Sequence, residues 1–470
     1  MSDNNDPESK ERTLKKIRSG FFDRGMSLTK LAVQSGAHLA MTGIKGAFTD
    51  QGGRDQQFKA LMNVQARLLT HELGRLKGSL MKVGQMLALY GEHFLPEEVV
   101  QQLKSLNEQS PPVEWKEIER LLKQRLSPEA LAELDIDKRP LAAASMGQVH
   151  RATIKATGEQ VAVKIQYPGV DEAVDSDVKA LRSILGLLKL MPANSAAFEE
   201  LFEEIRGMLH QELNYEKERG FTDEAKALLA DDPRYIVPTT YERYSNLRLL
   251  TTSFELGVNL DSPEVASLSE GRRAKIAEAF SQLFLRELFE FKMMQTDPHF
   301  GNFKVRIGEE SDQIILLDWG ASRRFEPKFL DVYRELINGG LERNEDKVLD
   351  AAYKLGFLHD DANEKIKKAF TEITFMAVEP WLPPTDARVP THLVDKNGCY
   401  IWAKSDLPTR ITSLATKYAL SFKVRAPPRE VLFLDRKIGG IFIIMKVLDA
   451  RIHGHQILKD TMKAIEFRSR

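Results

Sequence analysis

The chain has 470 residues, 42 % of them hydrophobic and 29 % charged, the mix of a globular protein with room for two or three domain-sized units. Its 67 Lys+Arg nearly cancel its 68 Asp+Glu, which argues against a dedicated nucleic-acid binder. A single cysteine, Cys399, excludes an intrachain disulfide and a Cys-rich zinc module.

The N-terminus is polar, with no apolar stretch of the secretory type. Seven basic and two acidic residues lie between Lys10 and Lys30, followed by the soft apolar stretch LTKLAVQSGAHLAMTGIKGA. Such a segment can lie on an anionic membrane surface or pack as an ordinary helix, and both readings stand. Residues 1–56 are therefore read as a polar and basic leader with a candidate peripheral membrane helix. Residues 57–140 carry apolar positions at helical spacing, broken at Pro96 and Pro111–Pro112. No apolar run reaches the roughly 18–20 residues of a membrane span. The expected location is the cytoplasm, with peripheral contact at the inner face of a membrane left open.

Two strand-like runs follow, Gly147–Ile154 and Gln160–Gln166, joined by KATGE, a hinge with a glycine suited to a hairpin. Helical patterning runs from Val170 to Met191 and again, as one helix, from about Ser195 to Ala230. Short strands are expected near Ile236–Thr240 and Leu247–Phe254. After Gly257 the pattern is mainly helical, interrupted by strand signals at Phe303–Ile307 and Gln313–Asp318.

Four elements in this order carry phosphate chemistry. Ala142, Ala144, Gly147 and Val149 fall where a kinase-type G-x-G-x-x-G-x-V loop has three glycines and a valine. Alanine keeps the loop small enough for backbone N–H groups to approach phosphate, but makes it stiffer. Val161-Ala162-Val163-Lys164 matches the V-A-I-K strand, whose lysine reaches the phosphates and pairs with a helix glutamate. Asp297 and Asn302 are five apart, as in the catalytic loop D-x-x-x-x-N. Asp318-Trp319-Gly320 ends an apolar strand as D-F-G does. Asn302 and Asp318 supply the hard oxygens that Mg²⁺ prefers. His299 is read as orienting its loop. Thr252 and Phe254 can border an adenine. For the helix glutamate, Glu212 and Glu218 are both candidates, on different faces of the expected helix.

These residues, with Lys82-Val83-Gly84-Gln85, the AAAS loop (Ala142, Ala143, Ala144, Ser145), ELNYEKE, TDPHFGN, LLDWG and PPREVLFLDRKIGG, resemble the UbiB/AarF-domain (ADCK-type) atypical kinases in the same order. The resemblance spans roughly residues 60–460. It implies an α+β, bilobal protein-kinase-like fold with a helical N-terminal extension carrying K-x-G-Q. The extension would be 57–140, the N-lobe 141–256 and the mainly helical C-lobe 257–470. It also implies Lys164 as the phosphate lysine with Glu218 as its partner, and Asp297 as the catalytic-loop aspartate. Asn302 and Asp318 would be metal ligands, with Glu212 a contributor near the metal. Lys82 and Gln85 would face the nucleotide, and the E-x-D motif that meets Lys82 reads Glu212-Leu213-Asn214, an acid-to-amide departure. ATP/ADP and Mg²⁺ are the implied cofactors. Slow ATP hydrolysis in support of ubiquinone or other prenyl-lipid metabolism is the implied role. Prenyl lipid or lipid-biosynthesis proteins are the implied partners. Phosphorylation of proteins in trans is disfavoured, because the K-x-G-Q helix would cover the peptide site. Two alternatives are kept: a non-catalytic nucleotide-gated lipid- or protein-binding module, and a small-molecule phosphotransferase.

Overall fold

The computed structural model describes residues 79–90, 97–104, 112–187, 196–419 and 429–468. The expected leader with its membrane-candidate stretch, and the helical pattern at 57–78, lie outside them. The described residues form two units. One takes those up to Gly220 with Thr239–Phe254, and the other takes Phe221–Pro238 and the chain from Glu255 onward.

The first unit opens with helices α1 (Ser79–Tyr90), α2 (Glu97–Lys104), α3 (Trp115–Arg125) and α4 (Pro128–Ala132). Apolar spacing places Ile118, Leu121 and Leu122 of α3 in the core. Ser127 caps α4 by accepting from the Ala130 N–H, with Pro128 in the first turn. An antiparallel sheet follows in the order β1 (Leu134–Ala143), β2 (Gly147–Ile154), β3 (Gln160–Gln166) and β5 (Leu249–Ser253). Alternation decides its faces. Val161, Val163 and Ile165 are fully buried, while Ala162 and Lys164 between them are half-buried.

Two features differ from the sequence reading. Strand β1 is marked in the sequence only by a change of texture near Arg139–Leu141, because LDIDKRPLAA holds proline and charges that strands usually avoid. It exists as an edge strand whose register shifts around Pro140, where a missing N–H is tolerated. The single helix expected from Ser195 to Ala230 is two helices, α6 (Ala196–Glu212) and α7 (Tyr215–Leu228), after α5 (Val170–Leu187). The break falls at Leu213-Asn214, because Asn214 caps α7 by accepting from the Lys217 N–H at 3.0 Å. The Tyr215 N–H turns away to the Leu247 carbonyl.

The second unit holds a sheet in the order β4 (Tyr235–Ile236), β9 (Gln313–Leu316), β8 (Phe303–Arg306) and β6 (Val258–Asn259). β7 (Met293–Gln295) pairs with β10 (Ser322–Arg324), and β11 (Tyr400–Ile401) with β12 (Arg451–Ile452). Its helices include α8 (Glu270–Phe289), α9 (Pro327–Glu342), α10 (Glu345–Lys354), α11 (Glu364–Ala377), α12 (Leu407–Ala419), α13 (Arg429–Val447) and α14 (Gly454–Arg468). α8 is a core helix from Ile276 to Phe289. The apolar run near the end of α13 buries Ile441, Ile444 and Met445. Among the described residues no helix is long and apolar enough to cross a membrane.

Candidate functional site

In the first unit the candidate nucleotide residues come from three adjacent strands. Val149 lies across from Lys164, and Ala162 across from Thr252. Ala142 lies across from Val149. Directly opposed residues share a sheet face, and so do residues two apart on a strand. Ala142, Gly147, Val149, Ala162, Lys164 and Thr252 therefore line one face. Phe254 follows Thr252 by two positions, with the Arg151 guanidinium 4.9 Å from its ring centroid. Ala143 lies across from Gln148 and so belongs to the opposite face. Ser145 is buried in the hairpin, which the Ala144 N–H closes onto the Gly147 carbonyl at 2.8 Å. Gly147 is required there by packing: an added Cβ would stand 2.6 Å from the Ile165 carbonyl oxygen.

Lys164 Nζ donates to both Glu218 carboxylate oxygens, at 2.8 and 2.9 Å. Glu218 is 3 % exposed and the lysine side chain 28 %, so the carboxylate is the more deeply buried partner of the pair. The Tyr215 ring lies beneath the ammonium, 5.0 Å from Nζ to centroid. Lys82, on α1, is paired instead with Glu212 at 2.5 Å. Gln85 follows Lys82 by one helical turn. Because α6 ends at Glu212 and α7 starts at Tyr215, the two glutamates sit on separate helices and serve separate lysines.

In the second unit the antiparallel β8–β9 pairing sets Asn302 beside the end of β9. The Leu317 N–H donates to the Asn302 carbonyl at 3.0 Å, and Asp318 is the next residue. Asn302 Nδ2 donates to the Asp297 carbonyl at 3.0 Å and to Asp297 Oδ2 at 3.3 Å. With Nδ2 so committed, the amide oxygen of Asn302 is the hard donor that the side chain can offer. Asp318 Oδ1 accepts from the Gly320 N–H at 2.8 Å. His299 Nδ1 accepts from the Gly301 N–H at 3.0 Å and so caps the turn Phe300–Asn302. Thr296 ties the loop to the Ala321 carbonyl through its hydroxyl at 2.7 Å. Trp319 is buried in the core.

Among the described residues no three His, Cys, Asp or Glu side chains converge on a metal position. The donor set of one amide and one carboxylate suits a cation whose remaining ligands are phosphate oxygens and water, the usual habit of Mg²⁺. Glu212, also expected near the metal, is paired with Lys82 in the first unit.

The sequence reading missed the residues that hold the loop in place. Arg436 donates to Asp297 Oδ1 at 2.5 Å. Lys437 pairs with Glu287 at 2.6 Å, at 3 % and 1 % exposure, and donates to the Gln295 carbonyl at 2.9 Å. Gln295 in turn donates to the Asp297 carbonyl at 2.8 Å. The signal was the adjacent charges Asp435-Arg436-Lys437 inside an apolar helix pattern, a place where charge survives only when partnered.

A model of the ABC1 atypical kinase-like domain matches residues 105–352. This chain belongs to that family. It is 30 % identical over 475 residues to "Probable serine/threonine-protein kinase abkA" of Dictyostelium discoideum, covering 96 % of this chain and 81 % of that protein. It is 30 % identical over 402 residues to "Atypical kinase COQ8B, mitochondrial" of Rattus norvegicus, covering 85 % of this chain and 72 % of the relative. The yeast protein "Atypical kinase COQ8, mitochondrial" of Saccharomyces cerevisiae is 28 % identical over 458 residues, 96 % of this chain and 87 % of its own. A solved structure, that of Rv3197 with erythromycin from Mycobacterium tuberculosis, matches with a TM-score of 0.55 at 22 % identity over 87 % of this chain and 98 % of that one. That likeness concerns the fold.

Proposed function

We propose that this chain is a Mg²⁺-dependent atypical kinase-fold ATPase that binds ATP and ADP and supports ubiquinone or other prenyl-lipid metabolism. The observation that carries the reading is the Lys164–Glu218 ion pair. It selects, from several acidic residues on two helices, the one glutamate in the position a phosphate-handling lysine needs. The family match and relatives named COQ8 support the pathway assignment.

In this reading Lys164, aimed by Glu218 and the Tyr215 ring, receives nucleotide phosphates. Val149, Ala162, Thr252 and Phe254 line the rest of that sheet face for the base and sugar. The stiff hairpin at Ala142–Gly147 covers the phosphates with backbone N–H groups. Asn302 and Asp318 hold the metal, which when bound neutralises phosphate charge. Asp297 orients the attacking water or acceptor hydroxyl. Lys82, paired with Glu212, belongs to the N-terminal extension, which in this family reading would disfavour other proteins as phosphoryl acceptors. The leader supplies any peripheral membrane contact.

The test is a thermal shift with ADP or ATP, with and without Mg²⁺, on wild type, Lys164→Met and Asp318→Asn. The reading expects a nucleotide shift in wild type, its loss in Lys164→Met, and loss of only its Mg²⁺-dependent part in Asp318→Asn. Equal shifts in all three proteins would refute it.

A further inference from the structure

We propose that Arg436 is a positioning residue for Asp297, and that α13 is the element that sets the catalytic loop. The proposal rests on the reading of Asp297 given above. Arg436, Lys437 and Gly440 are spaced to share one face of α13, and each touches a different residue of the stretch 295–298. Arg436 holds Asp297 Oδ1. Lys437, anchored by buried Glu287, holds the Gln295 carbonyl. Gly440 packs so closely on Pro298 that an added Cβ would stand 2.1 Å from its Cγ.

The carboxylate of Asp297 is thus gripped at both oxygens, by Arg436 on Oδ1 and by Asn302 on Oδ2. Two donors at opposite ends of a carboxylate fix its plane, which a single donor leaves free to swing. Asp297 also shares Asn302 with the proposed metal set, so a swing of the carboxylate would disturb the amide as well. A polar contact across 139 residues of sequence lets the far C-terminal helix determine a geometry that a short loop, rich in turn-forming residues, cannot fix alone.

The test compares wild type, Arg436→Gln, Arg436→Lys and Asp318→Asn in full-length chain. Hydrogen exchange over residues 296–302 reads the positioning directly, and phosphate release reads its consequence. In Arg436→Gln, exchange of the loop amides should rise several-fold while the melting temperature holds. kcat should fall roughly 10–100-fold, the scale of a misplaced catalytic group, with KM for ATP changed by less than about threefold. Arg436→Lys should recover most of both. Unchanged loop exchange in Arg436→Gln overturns the proposal. So does a rise in kcat, which would make Arg436 a restraint on Asp297. A kcat loss that merely follows loss of folded protein overturns it too. If wild type and Asp318→Asn release phosphate equally, it is the phosphoryl-transfer reading that fails, and the exchange result alone decides the role of Arg436.

Discussion

The buried pair Lys437–Glu287 gives the sharpest stability prediction. Lys437→Met removes a cation that is 2.6 Å from a carboxylate 1 % exposed and leaves that carboxylate in the core. Breaking such a pair from one side costs about 3–5 kcal/mol. For a unit of roughly 150–250 residues, each kcal/mol moves the melting temperature by about 2–4 °C, so the loss should be about 6–20 °C. The double variant Lys437→Met/Glu287→Gln removes the stranded charge and keeps an acceptor for the Gln295 N–H, which Glu287 now serves at 3.3 Å. It should return to within about 1–2 kcal/mol of wild type. pH gives a second signature. Burial pushes the Glu287 carboxyl above its ordinary range, and Lys437 opposes that. Without Lys437 the folded-state value rises further. The folded form then favours the protonated acid, so the deficit of Lys437→Met is smallest at acidic pH and grows as pH rises through the folded-state value. Differential scanning calorimetry and urea melts across pH measure it. A single variant less than about 1 kcal/mol below wild type, or a double variant as unstable as the single, would rule out a stranded Glu287 charge as the cause.

Glu218→Gln should destabilise the first unit by about 1–3 kcal/mol, because the Lys164 ammonium loses its charged acceptor, and should weaken nucleotide thermal shifts more than it weakens folding. Gly440→Ala meets the Pro298 ring and should cost about 1–3 kcal/mol by overpacking. Its neighbour Gly439→Ala meets nothing within 4 Å and should be neutral or gain up to about 1 kcal/mol of helix propensity; chemical denaturation separates the two. Buried His150 donates from Nδ1 to the Asp137 carbonyl and accepts at Nε2 from Gln148, and burial lowers its pKa. Its stabilising neutral form is present above the ordinary histidine range and is lost as pH falls through the lowered folded-state value. Wild type should therefore lose stability in mild acid, and His150→Gln should flatten that limb of the melting profile.

The order and spacing of the proposed phosphate motifs are visible in the sequence, because each is a short run whose fixed spacing a strand or loop preserves. The β2–β3 hairpin was legible from the period-2 burial of Val161, Val163 and Ile165. The Lys164–Glu218 pair and the meeting of Lys82 with Glu212 follow from the family resemblance and are found in the structure; the helix break that puts the two glutamates on separate helices was not read, and only Asn214, a preferred cap, hinted at it. Strand β1 escaped notice because an edge position excuses proline and charge that an interior strand would not accept. The α13 contacts with the catalytic loop were invisible for a simpler reason: no local pattern encodes an ion pair across more than a hundred residues. Ala143, grouped with the loop by sequence, is turned to the other sheet face by the one-residue alternation that governs strands.

In the proposed function Asn302 and Asp318 hold Mg²⁺ for phosphoryl chemistry on a nucleotide bound by Lys164. Phosphate release from ATP with Mg²⁺, in the presence of lipid vesicles, compared between wild type and Asp318→Asn, tests it most directly. Slow, Mg²⁺-dependent release is expected from wild type, with a loss of at least about tenfold in the variant, the weight of one lost charge-stabilising contact. Equal release by both proteins, or none above buffer from wild type, would contradict it.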